Sequence, residues 1–252
     1  MVGEGLVAEG EPAVTVHRIA VQGLREPVRL VQLTDLHRSW CVSEDYLRRV
    51  VTKANALRVD GALLTGDFVT DSSSYMKSCG DVLKELKMPL GSFAVLGNHD
   101  YACDGRRGGP AIAAALGDIG VQVLTNRSFR LDNRLNLVGV DDCWMGRPDP
   151  ALAFSRVHRD EPTLIMTHNP MVFPKLESYN AVTVAGHTHG GQIDLPIITR
   201  QFVCRKHRYL RGWFHAASGP GRMYVSRGIG VVGIPIRLRC APEIAVFELN
   251  PA

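Results

Sequence analysis

A layered α/β fold is predicted for this chain by three features of its 252 residues. Short apolar runs, rich in β-branched and aliphatic side chains, recur at positions 28–34, 61–65, 92–96, 163–167 and 181–185, as buried strands do. Stretches of helical period lie between them. A tail of alternating segments broken by Gly- and Pro-containing turns adds antiparallel strands to the layers.

Taken in order, residues 14–21 alternate as a strand does, and are expected to pair near the C-terminal portion. After the run at 28–34, Ser43 is placed to cap a helix with Glu44 and Asp45 in its first turn. Leu47, Val50, Val51, Ala54 and Leu57 form its apolar stripe. Residues 81–87 and 110–116 read as further helices on either side of the run at 92–96. Beyond 185, residues 209–214, 222–226 and 243–249 read as strands. No internal repeat and no linker-like tract divides the chain, so a single domain over 1–252 is expected. Residues 28–192 would carry its chemistry and 193–252 its C-terminal strands.

Composition narrows the function classes. With 45% hydrophobic and 21% charged residues the chain reads as a soluble globular protein. A net charge of +4 suits an anionic substrate or membrane surface, yet falls short of a nucleic-acid footprint, so nucleic acid is not an expected partner. No apolar run approaches the roughly 20 residues of a membrane span, and the first 11 residues lack the regions of a signal peptide. A cytoplasmic protein, with peripheral contact at the inner face of a membrane, is the expectation. The six cysteines form no CxxC pair, which argues against a zinc knuckle or a disulfide framework.

Each apolar run ends in chemistry. Residues 28–34 deliver Asp35 and His37, residues 61–65 deliver Gly66 and Asp67, and residues 92–96 lead into Gly97, Asn98, His99 and Asp100. Residues 163–167 deliver His168 and Asn169, and residues 181–185 deliver Gly186, His187, Thr188 and His189. Ligands of open α/β sheets bind beyond the carboxyl ends of the strands, so these residues can converge although far apart in sequence. Carboxylate, imidazole and one amide oxygen, without sulfur, suit two divalent ions such as Mn, Fe or Zn. Asp35 and His37, two apart in an extended segment, would project to one side and share one ion. His187 and His189, at a turn, can diverge toward different ions. Arg38, directly after His37, is placed to reach an anionic group of a substrate along with Asn98 and His99.

Together LTDLH, LLTGDFV, VLGNHDY, MTHNP and VAGHTHGGQ resemble the ordered motif series of the calcineurin-like metallophosphoesterases, over roughly two-thirds of the chain. The resemblance implies two mixed β-sheets flanked by helices. It implies one ion on Asp35, His37, Asp67 and His189, and another on Asp67, Asn98, His168 and His187, with Asp67 shared. His99 would be the catalytic histidine and Asp100 would orient it. A solvent molecule between the ions, its pKa lowered to around 7 to 9, would attack phosphorus directly.

GHTHGGQ and THNP, with YVSRGIG, PIRLR and APEIAVFEL in the tail, are most similar to the YkuE-like branch, which includes enzymes resembling the UDP-2,3-diacylglucosamine pyrophosphatases of lipid A synthesis. The basic residues Arg200, Arg205, Lys206, Arg208 and Arg211, interleaved with Phe202, Tyr209, Trp213 and Phe214, suit such an amphiphile. A general phosphodiesterase or phosphomonoesterase on soluble nucleotides is the second expectation. A non-catalytic metal-binding scaffold is the third, and the lost ligands that would mark it are not seen.

Overall fold

A computed structural model describes residues 10–132, 134–158, 160–195 and 208–252. Of the basic aromatic run, Arg200, Phe202, Arg205 and Lys206 lie outside the described residues. Two six-stranded sheets form the frame. The first contains β1 (Ala13–Val21), β2 (Val28–Leu33), β3 (Gly61–Leu64), β4 (Ser92–Ala94), β5 (Gln122–Val123) and β12 (Glu243–Pro251), in the order β1-β12-β2-β3-β4-β5. β2 to β5 run parallel, while β12 is antiparallel to β2 and parallel to β1. The second contains β6 (Arg127–Leu131), β7 (Leu135–Gly139), β8 (Thr163–Met166), β9 (Val182–Ala185), β10 (Gly212–His215) and β11 (Arg222–Val225), in the order β10-β11-β9-β8-β7-β6. Its four inner strands are parallel and its two edges antiparallel.

The five apolar runs are buried on both faces, which is why they read as continuous rather than alternating. Within β2, Val28 and Leu30 point toward the second sheet, where Leu63, Phe93 and Phe247 meet Leu137, Leu164, Met166 and Val184. Val31 and Leu33 point the other way, against α1 (Glu44–Ala56), α2 (Met76–Leu83) and α4 (Gly108–Asp118). A third apolar cluster, with Ile165, Phe173 and Leu176, covers the outer face of the second sheet. Each fully buried Leu or Phe contributes about 1.5–3 kcal/mol, so three such clusters hold the layers together.

Ser43 caps α1 as its sequence suggests: its hydroxyl accepts from Tyr46 N, and Tyr46, Leu47, Val50, Val51 and Ala54 are buried. Such a cap contributes about 1 kcal/mol. α2 differs from the expected 81–87. It begins at Met76 and ends at Leu83, because Met76, Cys79, Val82 and Leu83 supply the buried face, whereas Lys84 to Lys87 are polar at three of four positions. The sequence reading also passes over β5, β6 and β7. Among the described residues no helix is long and apolar enough to cross a membrane.

Candidate metal centre

The carboxyl ends of β2, β3 and β4 in one sheet meet those of β8 and β9 in the other. Buried Gln32 ties the two rims, its amide donating to Thr65 Oγ1 at 2.8 Å and to Ala185 O at 3.1 Å. Asp35 N donates to Gly66 O and His37 N to Asp67 O, so the first two ligand loops interlock through their backbones.

Two groups of side chains converge there. Asp35, His37 and His189 form the first and are all buried; Asp67, His168 and His187 form the second, with His187 half-buried. In the first, His37 Nε2 lies 3.0 Å from His189 Nε2, and His189 Nε2 lies 3.5 Å from Asp35 Oδ1. In the second, His168 Nε2 lies 3.1 Å from Asn98 Oδ1 and 3.2 Å from His187 Nδ1. Asp67 Oδ2 faces both, 3.4 Å from His37 Nε2 and 3.1 Å from His168 Nε2. The structure thus brings together all seven residues that the motifs single out.

These atoms suit cations. His168 Nδ1 stands 2.8 Å from Thr65 O, a carbonyl that can only accept, so the proton of the neutral ring belongs on Nδ1. Its Nε2 then faces the oxygens of Asp67 and Asn98, an arrangement that calls for positive charge at Nε2, supplied by a proton or by a metal ion. The charges are strongly opposed as well. Burial disfavours the ionised form of Asp67, but His168 and His37 outweigh it and hold the carboxyl well below its ordinary value. Burial lowers the proton affinity of His168, yet Asp67, Asp35 and Asp142 lift it to about 10. His189 goes the other way, pushed well below its ordinary value by burial, His37 and Arg237.

The local backbone is unusual. Asp35, His37, Asp67, His187 and His189 all adopt positive φ, between 48° and 74°. Left-handed conformations cost L-residues roughly 1–2 kcal/mol each, a strain that the surrounding packing must offset. Asp35 and His37 therefore reach one group through two kinks and not through the alternation of an extended segment, which corrects that expectation. Gly66, at φ +89°, accommodates the close approach of two loops: a Cβ there would stand 2.6 Å from Gly97 N.

His99 is half-buried at the start of α3 (Asn98–Arg106). Its backbone N donates to Asp67 Oδ1 at 2.9 Å, and its Nδ1 lies 3.0 Å from Thr70 O. Thr70 O therefore sets the His99 ring. Asp100 has a different task from the expected one of orienting His99: its carboxylate accepts from Asp67 N, Gly97 N and Phe68 N, at 2.8 to 2.9 Å, and so locks the two loops. Burial and the charge of Asp67 lift its pKa to about 7. Arg38 is not brought to the two groups. Its guanidinium donates to Ser78 Oγ, Ser39 O and Val42 O and lies over the Tyr75 ring.

Sequence reasoning passes over Asp142, which follows β7 as Asp67 follows β3. The run LNLVGVDD, apolar and then acidic, repeats the pattern of LLTGD and was the available signal. Asp142 is buried; one oxygen accepts from Trp144 N and Met145 N, at 2.7 Å each, and burial raises its pKa. Trp144 in turn sets its ring against His187, 4.3 Å between centroids.

The calcineurin-like phosphoesterase profile matches residues 28–191. The chain belongs to that family. An uncharacterised metallophosphoesterase of Helicobacter pylori is 31% identical to this family member across 98% of the chain, which spans 66% of that relative's length. A UDP-2,3-diacylglucosamine pyrophosphatase, LpxG of Chlamydia muridarum, is 29% identical over 88% of this chain and 83% of its own. Among solved structures, a dimetal phosphatase from Danio rerio superposes with a TM-score of 0.52 at 13% identity, covering 84% of this chain and 90% of that one, a likeness of fold. The family uses two divalent metal ions, and this member presents two ligand groups for them.

Proposed function

We propose that this chain hydrolyses a phosphoester or pyrophosphate bond, and that its substrate is a lipid-linked nucleotide sugar of the UDP-2,3-diacylglucosamine kind. The observation that carries the reading is Asp67 Oδ2, within 3.4 Å of His37 Nε2 and 3.1 Å of His168 Nε2, a carboxylate shared between two ligand groups. Asp35, His37, Asp67 and His189 would hold one ion, and Asp67, Asn98, His168 and His187 the other. When bound, two divalent ions supply Lewis acidity toward the phosphoryl oxygens and acidify coordinated water. His99 would give a proton from Nε2 to the leaving oxygen, since Thr70 O occupies Nδ1. Asp100 keeps the Asp67 and Gly97 loops at fixed separation through its backbone bonds.

Two observations support an amphiphilic substrate. LpxG, similar along most of its length, acts on UDP-2,3-diacylglucosamine by its name. Exposed Trp40, Trp144, Met171 and Ile234 also stand on the loops that carry, or adjoin, His37, His187, His168 and His189. Apolar side chains so placed suit acyl chains or the inner face of a membrane, at which this reading docks a cytoplasmic protein peripherally.

Turnover of UDP-2,3-diacylglucosamine in detergent micelles with Mn, set beside a generic aryl phosphodiester and a soluble nucleotide, tests the reading. A higher kcat/KM for the lipid-linked substrate is expected. Equal or better turnover of a soluble ester would remove the lipid, and no turnover by protein loaded with two ions would remove the enzyme.

A further inference from the structure

Arg237 is a buried cation that the chemistry above does not use. It is 4% exposed, and among the described residues it forms no ion pair. Its bonds go to carbonyl oxygens: Nε and Nη2 donate to Gly230 O at 3.1 and 2.6 Å, Nη2 to Arg227 O at 2.8 Å, and Nη1 to Cys240 O at 3.2 Å and His189 O at 3.4 Å. Leaving a guanidinium buried without a carboxylate is costly, so several carbonyl dipoles must converge to compensate it. Only arginine presents enough donors in a rigid plane to bond them together.

One of those carbonyls is that of the ligand His189; the other three belong to the loop after β11, which packs against the backbone of Asp35. On one side, Gly230 N donates to Asp35 O at 2.6 Å and Ile229 N to Thr34 O at 3.0 Å, so the loop after β11 holds the Asp35 backbone. Gly228, at φ +69°, lets that loop come close: a Cβ there would lie 2.8 Å from Asp35 Cβ. On the other side, Cys240 Sγ donates to His189 O at 3.2 Å, joining Arg237 on the same carbonyl. Arg237 Nη2 also stands 3.4 Å from His189 Nδ1, where His168 of the second group has a carbonyl. No hydrogen bond from residues 227–241 reaches Asn98 or His168 among the described residues.

We propose that Arg237 is a positioning residue for the first ion alone: by clamping the loop that holds Asp35 to the loop that carries His189, it sets how tightly that one ion is bound. This rests on the ligand assignment proposed above. Partners behind a metal ligand typically change affinity by about 10–100-fold, and the effect here falls on one of two ions.

The test is calorimetric Mn titration of the full chain, with metal content after dialysis and Mn paramagnetic resonance as second readouts. Wild type should bind two ions and show a spin-coupled pair. Arg237→Met should keep one tight ion, weaken the other by at least about tenfold, and show an isolated Mn spectrum. Arg237→Lys, which keeps the charge and loses the planar fork, should fall the same way, and it decides the matter if circular dichroism finds Arg237→Met unfolded. Two ions bound with wild-type affinity in the variants overturn the inference, as does equal weakening of both ions, the mark of a general structural role. Fewer than two ions in the wild type would instead overturn the ligand assignment, and the inference with it.

Discussion

The two ligand groups share Asp67 but differ in depth and in support. Asp35, His37 and His189 are buried, two carboxylates face that group, and the tail loops after β11 wrap it. The second group has the single carboxylate of Asp67 with the neutral amide of Asn98; Asn98 and His187 are both half-buried, and His187 lies beside exposed Trp144. Two carboxylates against one, despite the Arg237 guanidinium behind His189, favour tighter holding of the first ion, whereas access favours substrate and exchange at the second. The difference suggests a division of labour, with a deep anchoring ion and a shallow working one.

Removing what the groups share gives the largest expected effect. Asp67→Asn should bring metal content below two ions per chain and reduce kcat more than the roughly 10–100-fold typical of residues behind a ligand. Elemental analysis beside steady-state kinetics checks it, and full activity in this variant would end the idea of a shared carboxylate.

A second pair of variants separates the groups. Asn98→Ala should leave one tightly held ion, while Asp35→Asn should weaken the tighter of the two. Stepwise chelation of wild type, followed by metal analysis, should remove the shallow ion first. Loss of both ions together would erase the distinction drawn from depth.

His99→Ala sharpens the comparison from the chemical side. Its backbone N–H to Asp67 survives the substitution, so two ions should remain, while kcat falls by about 10²–10⁴. An accompanying loss of metal would make His99 a ligand support instead.

The smallest effect concerns the tail. Glu243, buried at the start of β12, accepts from Tyr224 OH at 2.6 Å, Thr15 Oγ1 at 2.7 Å and Arg227 N at 2.9 Å. Burial pushes its pKa up, but these donors outweigh it and hold the carboxyl below the ordinary value of 4.5. With the folded pKa depressed, the stabilisation is present above about pH 4.5 and is lost as pH falls through the folded value. Glu243→Gln should therefore cost about 1–3 kcal/mol at pH 7 by thermal unfolding, and progressively less below pH 4.5. A loss that does not change with pH would assign the effect to packing.

Much of this was legible from the chain alone. The five apolar runs became β2, β3, β4, β8 and β9 nearly to the residue, because strands buried on both faces have abrupt ends. β7 is the exception, and Asp142 with it, since buried Asn136 and Gly139 interrupt the aliphatic run that marks the other five strands. The placement of Arg38 failed for another reason: a chain position beside a ligand says nothing about which way a long side chain turns. Arg237 had no recognisable signal, for its partners are backbone carbonyls, three along its own β11–β12 loop and one on the distant His189 loop.

What residue order determined by itself is the kind of chemistry and its address, carboxylates and imidazoles at the ends of buried strands, because hydrophobic runs and polar punctuation are local properties. Tertiary structure alone decided that the ligands come from two facing sheets, that five of them sit in left-handed backbone, and that Asp67 faces both groups. Those outcomes depend on how distant loops press on one another, and no window of sequence contains that pressure.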